Sequence, residues 1–217
     1  ITARNLAMAE ESDRDVVTPC SACYLMLNKV NHYFNEDPGM REKILQALDA
    51  GGLSYGGGVR VRHLIDVVTN DFGLENYGGL VKQDLSGLKV APYYGCQIVR
   101  PEEGLDDSEK PDLMDQLIEA LGAGVTPFEM KTKCCGASLM GTAEKHALRM
   151  CRDILQNAVD SGADCIAVLC PLCQMNLDVY QRKVNSLFKT KFNIPVIYFT
   201  QLIGLALGKD FRELGLN

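Results

Sequence analysis

The chain has 217 residues, with 22 basic and 28 acidic side chains, a net charge of −6, 47% apolar and 23% charged residues. That is the composition of a globular protein; it excludes disorder and fibrous repeats, and the acidic balance excludes a broad nucleic-acid-binding surface. Nine cysteines, an odd count in a mid-sized acidic chain, argue against a secreted disulfide framework and for metal or redox chemistry in a reducing compartment.

Residues 3–11 read as a helix already under way where the chain begins. Residues 16–19 are a short strand leading into Cys20-Ser21-Ala22-Cys23. Residues 24–34 are helical, with Leu27, Val30 and Phe34 on one stripe, and Pro38 sits where a helix can restart over 40–48. Glycines between 51 and 58 mark a loop; no Lys-Ser or Lys-Thr follows, so it is not a phosphate cradle. A helix is predicted over 61–68, and the polar, glycine-dotted 70–87 reads as a linker between halves.

Residues 89–94 form a strand ending at Gly95-Cys96, and 97–110 an acidic loop. Asp112 is the expected cap of a helix carrying Leu113, Met114, Leu117, Ile118 and Leu121. A short strand over 125–128 precedes the loop Lys133-Cys134-Cys135-Gly136, and Thr142 is the expected cap of a long helix to 159. Residues 166–169 are a buried-type strand running into Cys170-Pro171-Leu172-Cys173. A last strand spans 195–199 and a last helix 201–207. Strands alternating with helices predict an α/β fold, mostly parallel. The most apolar stretch, 194–208, contains Thr200 and Gln201, is too short to span a bilayer and reads as core. With no signal peptide or polybasic anchor visible, the expected location is cytoplasmic, any membrane association being made through partners.

The chain repeats itself. Residues 16–23 (VVTPCSAC) correspond to 166–173 (IAVLCPLC) at an offset of 150, each an apolar strand, a Cys-x-x-Cys and a helix. The preceding helices match as well, Ala3-Arg4-Asn5-Leu6 against Cys151-Arg152-Asp153-Ile154, and downstream His63-Leu64-Ile65 is paired with Gln201-Leu202-Ile203. The expected architecture is two tandem pseudo-repeated α/β units with short parallel sheets, spanning 1–80 and 81–217. Counterparts of Cys96 and Cys134-Cys135 would fall before Ile1, so the first unit is expected to lack its opening half.

The second unit arranges its cysteines as C96-x37-C134-C135-G136-x33-C170-x2-C173. Thiolates are soft ligands suited to iron–sulfur clusters and zinc. Adjacent cysteines cannot easily pair with each other without strain, and Gly136 lets the backbone pass close to a bulky group or adopt a positive φ. Cys96 and Cys170 both follow strands and share the carboxyl edge of a parallel sheet, where open α/β folds place their sites. A lone Cys-x-x-Cys is compatible with a thioredoxin-like redox pair or half of a zinc site. For the five-cysteine set, iron–sulfur is the favoured occupant; zinc, whose closed sites take four ligands, and inert buried thiols are the alternatives. Cys151, on one face with Leu148 and Leu155, and Cys165, opening a buried strand, read as packing residues. His32, His63 and His146 show no metal-ligand spacing.

Cys134-Cys135-Gly136, set between Cys96 and Cys170-x-x-Cys173, resembles the CCG-domain family, and most closely the B subunits of heterodisulfide reductases. The resemblance extends over the chain through ARNL at 3–6, VTPCSAC at 17–23, GLKVAPYYGC at 87–96, CCGAS at 134–138, CPLCQMNL at 170–177 and YFTQL at 198–202. It implies that Cys96, Cys134, Cys135, Cys170 and Cys173 bind a non-cubane [4Fe–4S] cluster. Cys20 and Cys23 match the last two ligands of a further [4Fe–4S] cluster held by the full-length protein, which this chain is not expected to assemble. The implied activity is that of an oxidoreductase subunit cleaving a mixed disulfide reductively between two clusters; the fragment itself is expected to be inactive. Electrons would come from a small iron–sulfur subunit fed by a flavoprotein subunit. The alternative is an electron-transfer subunit of a flavin-dependent dehydrogenase or oxidase of the glycolate, lactate or succinate type.

Overall fold

The computed structural model describes residues 1–99 and 105–216. Helix α1 (Thr2–Glu11) leads to strand β1 (Val16–Thr18), followed by α2 (Ser21–Glu36) and α3 (Pro38–Asp49). α2 buries Tyr24, Leu27 and Phe34 along one stripe, the three-to-four-residue spacing of a helix face. Asp37 separates α2 from α3. Its Oδ1 accepts from the N–H groups of Gly39 at 2.9 Å and Met40 at 3.0 Å. Pro38 fills the first helical position, where a missing N–H leaves no bond unmade.

Residues 61–68 differ from the single helix expected. They open with strand β2 (Val61–His63) and continue as a short turn, α4 (Leu64–Asp66), and a π-helical turn (Val67–Asp71). The reason is alternation: Val59, Val61 and His63 are buried while Arg60 and Arg62 are not, a period of two rather than 3.6. β2 pairs parallel with β1, Val16 opposite Val61 and Thr18 opposite His63.

The rest of the chain runs β3 (Lys89–Tyr93), α5 (Leu113–Ala120), β4 (Gly124–Val125), α6 (Glu144–Asp160), β5 (Cys165–Val168), α7 (Pro171–Asp178), α8 (Gln181–Phe188), β6 (Val196–Tyr198) and α9 (Phe199–Ala206). The second sheet has the order β4-β3-β5-β6, every pair parallel. All four residues of β5 are buried, as expected of a central strand covered on both faces. The architecture is α/β, with one two-stranded and one four-stranded parallel sheet. One apolar cluster runs from Leu6 and Ile65 through Val90 and Leu117 to Leu169 and Phe199. Tyr93, Leu155, Val168 and Val196 belong to a second. Residues 70–87 dock against the end of α9, where Lys82 N and Gln83 N donate to Ala206 O at 2.8 and 3.1 Å.

Two helix starts also depart from expectation. Asp112 makes no side-chain cap bond. Asp106 Oδ2 accepts instead from the N–H groups of Asp112 at 2.9 Å and Leu113 at 2.8 Å. The Tyr94 hydroxyl accepts from Met114 and Asp115, at 2.8 and 3.1 Å. α6 is capped at Ala143 rather than Thr142: Ala143 O is the acceptor of the opening helical bonds, from His146 N at 2.9 Å and Ala147 N at 3.2 Å, while Thr142 N and Ala143 N still close the preceding turn on Leu139 O. The strand expected over 125–128 is reduced to β4, although Thr126 N still donates to Val90 O at 2.9 Å. Residues 100–104 of the expected acidic loop lie outside the described residues. Strand register also moves one repeat equivalence. His63 lies opposite Thr18 and Tyr198 opposite Val168, so the counterpart of His63 is Tyr198 and not Gln201.

Candidate iron–sulfur site

Both Cys-x-x-Cys motifs begin in the same way. Cys20 (φ −139°, ψ 119°) and Cys170 (φ −135°, ψ 125°) are extended residues that cap α2 and α7. Each leaves a strand end and enters a helix N-terminus, where backbone N–H groups favour a thiolate. Cys23 and Cys173 follow at the third helical position, so each motif turns both sulfurs to one side.

The thiols form a string. Cys135 Sγ lies 3.4 Å from Cys173 Sγ, and Cys20 Sγ lies 3.8 Å from Cys170 Sγ. Hydrogen bonding with Cys173 and Cys20 holds the Cys170 thiol well below its ordinary value, against its burial. Cys135 is lowered by hydrogen bonding with Cys173. Cys173 is raised by its bonds with Cys135 and Cys170 and by burial; Cys20 is raised by hydrogen bonding with Cys170 and by burial. Cys96 is raised by hydrogen bonding with Cys134 and by burial. Filling the site with metal would release the thiol protons.

The loop carrying Cys134 and Cys135 is pinned from several directions. Gly136 has φ +76°, and a Cβ there would sit 2.9 Å from Ala147 Cα and 3.1 Å from Met150 Sδ. The residue must be glycine both for its backbone angle and for its approach to α6. Gly136 N donates to Cys134 Sγ at 3.3 Å. Asn176 Nδ2, fully buried, donates to Cys135 O at 2.8 Å, and Cys151 Sγ donates to the same carbonyl at 3.3 Å. The Tyr93 hydroxyl donates to Lys133 O at 2.6 Å. Tyr93 is fully buried, and its hydroxyl is pushed far up, first by burial and then by the surrounding charges of Cys173, Cys135, Cys134 and Cys96. It stands among the sulfurs of the second set.

All seven cysteines expected at the site lie in this neighbourhood, with Cys23 exposed at its rim. Cys151 and Cys165 are buried, and burial pushes both thiols up to about 12. Cys151 nevertheless supports the loop from behind. Sequence reasoning did not single out Tyr93, Asn176 or Tyr198. The available signals were a tyrosine pair directly before Gly95-Cys96 and an asparagine one helical turn after Cys173.

The donor chemistry fits an iron–sulfur group. Among the described residues no three His, Cys, Asp or Glu side chains converge on one point as a single-ion site. A closed zinc site would draw four sulfurs around one ion at about 2.3 Å. The sulfurs of Cys135, Cys173, Cys170 and Cys20 lie in successive contact, a soft-donor set that suits a group with several metal atoms. One buried acceptor beside the loop, Asn176 Oδ1, has no hydrogen-bond partner, as a wall facing a polar occupant would leave it.

Comparison with known proteins agrees with this chemistry. Residues 1–28 and 90–178 match the cysteine-rich domain family CCG. The chain is 42% identical over 217 residues to the 8-methylmenaquinol:fumarate reductase membrane anchor subunit of Wolinella succinogenes, covering 99% of this chain and 75% of that one. It is 36% identical to the B subunit of the Ferredoxin/F(420)H(2)-dependent CoB-CoM heterodisulfide reductase of Methanosarcina acetivorans, covering 100% and 73%. It is 32% identical to a protein of Archaeoglobus profundus described as like the B subunit of heterodisulfide reductase, covering 97% and 72%. A crystal structure of a hypothetical protein from Helicobacter pylori superposes with a TM-score of 0.78 at 16% identity. That likeness covers 99% of this chain and 39% of the other and concerns the fold alone.

Proposed function

The chain belongs to the CCG cysteine-rich domain family, and from that membership we propose that it is an iron–sulfur subunit of a multi-subunit oxidoreductase that cleaves a mixed disulfide. In this reading Cys96, Cys134, Cys135, Cys170 and Cys173 hold a non-cubane [4Fe–4S] cluster. Cys20 and Cys23 contribute to a further one. Such clusters supply one-electron transfers when bound. The rest is the work of the protein's own residues. Tyr93 and Asn176 fix the Cys134-Cys135 loop through the carbonyls of Lys133 and Cys135. The paired helix N-termini hold Cys20 and Cys170 in contact with each other.

The observation that carries the reading is the 3.8 Å approach of Cys20 Sγ to Cys170 Sγ, 150 residues apart. The two thiol sets meet at one place, where both sulfurs of a single disulfide can be addressed. Cleavage takes two electrons and two protons and releases two thiols. The electrons would arrive from partner subunits, a small iron–sulfur protein fed by a flavoprotein. Among the described residues no helix is long and apolar enough to cross a membrane; in this reading any membrane association would be made through partners.

A second reading, electron relay within a dehydrogenase or fumarate-reductase-type complex, is favoured by the 42% identity to that anchor protein. One experiment separates the two. The holoprotein in its complex is reduced with a limiting amount of dithionite, and the iron–sulfur absorbance is followed on adding a mixed alkyl disulfide or a menaquinone analogue. Reoxidation by the disulfide with release of two thiols supports cleavage. Reoxidation by the quinone alone supports relay and refutes cleavage.

A further inference from the structure

Two backbone carbonyls at the junction belong to no secondary structure. Pro19 O and Leu169 O lie just beyond the last residues of β1 and β5. Both also lie one residue before the first helical acceptors, Cys20 O and Cys170 O, which receive Tyr24 N and Gln174 N at 2.9 Å. A carbonyl in that position needs a partner from elsewhere.

The partners come from the opposite half, and reciprocally. His63 ends β2 and Tyr198 ends β6, at equivalent places in their sheets. His63 is fully buried, between Tyr24 and Phe199 at ring distances of 6.0 and 6.3 Å. Its Nδ1 accepts from Ile65 N at 3.2 Å, so Nε2 carries the proton and donates to Leu169 O at 3.1 Å. That carbonyl directly precedes Cys170. The Tyr198 hydroxyl donates to Pro19 O, the carbonyl directly before Cys20, and lies 3.3 Å from Leu169 O. Ser21 Oγ adds a second donor to Leu169 O at 3.3 Å. The outer strand of each sheet thus grips the Cys-x-x-Cys of the other half, and the 3.8 Å contact between Cys20 Sγ and Cys170 Sγ lies between the two grips.

We propose that His63 and Tyr198 are positioning residues that clamp the two Cys-x-x-Cys motifs together, setting the separation at which both thiol sets can engage one substrate. The proposal rests on the disulfide reading for its purpose, but its geometry can be tested on the bare thiols, so the two can fail separately. Tyr198→Phe removes one oxygen and leaves the ring in place against Phe199, 4.8 Å away.

The test uses the full chain, purified anaerobically and stripped of metal with a chelator, wild type beside Tyr198→Phe. Each is exposed to oxidised glutathione. One cysteine thiolate attacks the glutathione disulfide and releases a first glutathione thiol; the neighbouring cysteine then attacks the mixed disulfide and releases a second. Peptide mass spectrometry compares the Cys20–Cys170 product with the Cys135–Cys173 product. The latter pair, 3.4 Å apart within one half, serves as internal reference. Loss of one net hydrogen bond should lower the ratio of the first product to the second by roughly threefold to tenfold. An unchanged ratio overturns the proposal. So does a parallel fall of both products, which would make Tyr198 a general stabiliser and not a clamp.

Discussion

Replacing Gly136 with alanine tests whether the Cys134-Cys135 loop needs glycine for two separate reasons. The first is the backbone: at φ +76° an alanine costs about 1–2 kcal/mol. The second is space, because the new methyl would sit 2.9 Å from Ala147 Cα and 3.1 Å from Ala147 Cβ and Met150 Sδ. The Ala147 Cα belongs to the first turn of α6 and cannot swing aside, and crowding of this kind costs about 1–3 kcal/mol more. The expected total is roughly 2–5 kcal/mol, a large share of the ~5–15 kcal/mol that holds a typical domain together. Gly122 supplies the control. It has φ +83° with no heavy atom within 4 Å of the position a Cβ would take, so Gly122→Ala should lose only the backbone part, about 1–2 kcal/mol. Urea unfolding of both variants separates the two contributions. Iron and acid-labile sulfide per chain give the functional readout, since Gly136 N bonds Cys134 Sγ and a shifted turn moves both neighbouring sulfurs. Gly136→Ala should lose most of its iron and Gly122→Ala none. Equal destabilisation of the two variants, with iron retained in both, would refute the reasoning.

Cys135→Ala should abolish iron at the second set while the fold survives, whereas Cys151→Ala, which removes a buried packing thiol, should keep it; iron analysis beside circular dichroism reads both, and full iron in Cys135→Ala would count against the ligand assignment. Burial pushes His63 down to about 4 from 6.5. Because the folded value is the lower one, its contribution is complete above pH 6.5 and is lost as the pH falls towards 4, a loss of roughly 3 kcal/mol in total. Urea unfolding of the iron-free chain at several pH values measures this, and His63→Gln should flatten the slope between pH 6.5 and 4; an unaltered slope would assign the dependence to other groups.

Most of the order of helices and strands, the loop that carries Gly136 and the equivalence of the two Cys-x-x-Cys motifs are legible in the residue string. Each is a short-range pattern: apolar spacing along α2, Pro38 at a helix start, a buried run at β5. The string also carries the alternation of Val59, Val61 and His63, but the apolar residues that follow it imitate a helix. What distinguishes the strand is its partner β1, more than forty residues away. The cap expected at Asp112 failed for a related reason. Asp112 has the right chemistry and the right position, yet the Tyr94 hydroxyl, just past β3, takes the Met114 and Asp115 N–H groups, and Asp106 takes the N–H groups of Asp112 and Leu113.

The nine cysteines and their spacings point to thiolate chemistry before any fold is known, since ligand type and motif are properties of local sequence. Their assembly is a different matter. That Cys20 meets Cys170, that Tyr93 stands among the sulfurs, and that His63 and Tyr198 exchange grips across the junction are contacts between segments up to 179 residues apart. Such contacts follow from how two sheets and their helices pack against a shared apolar core, and packing depends on the summed shape of many side chains, which no spacing rule along a single chain encodes.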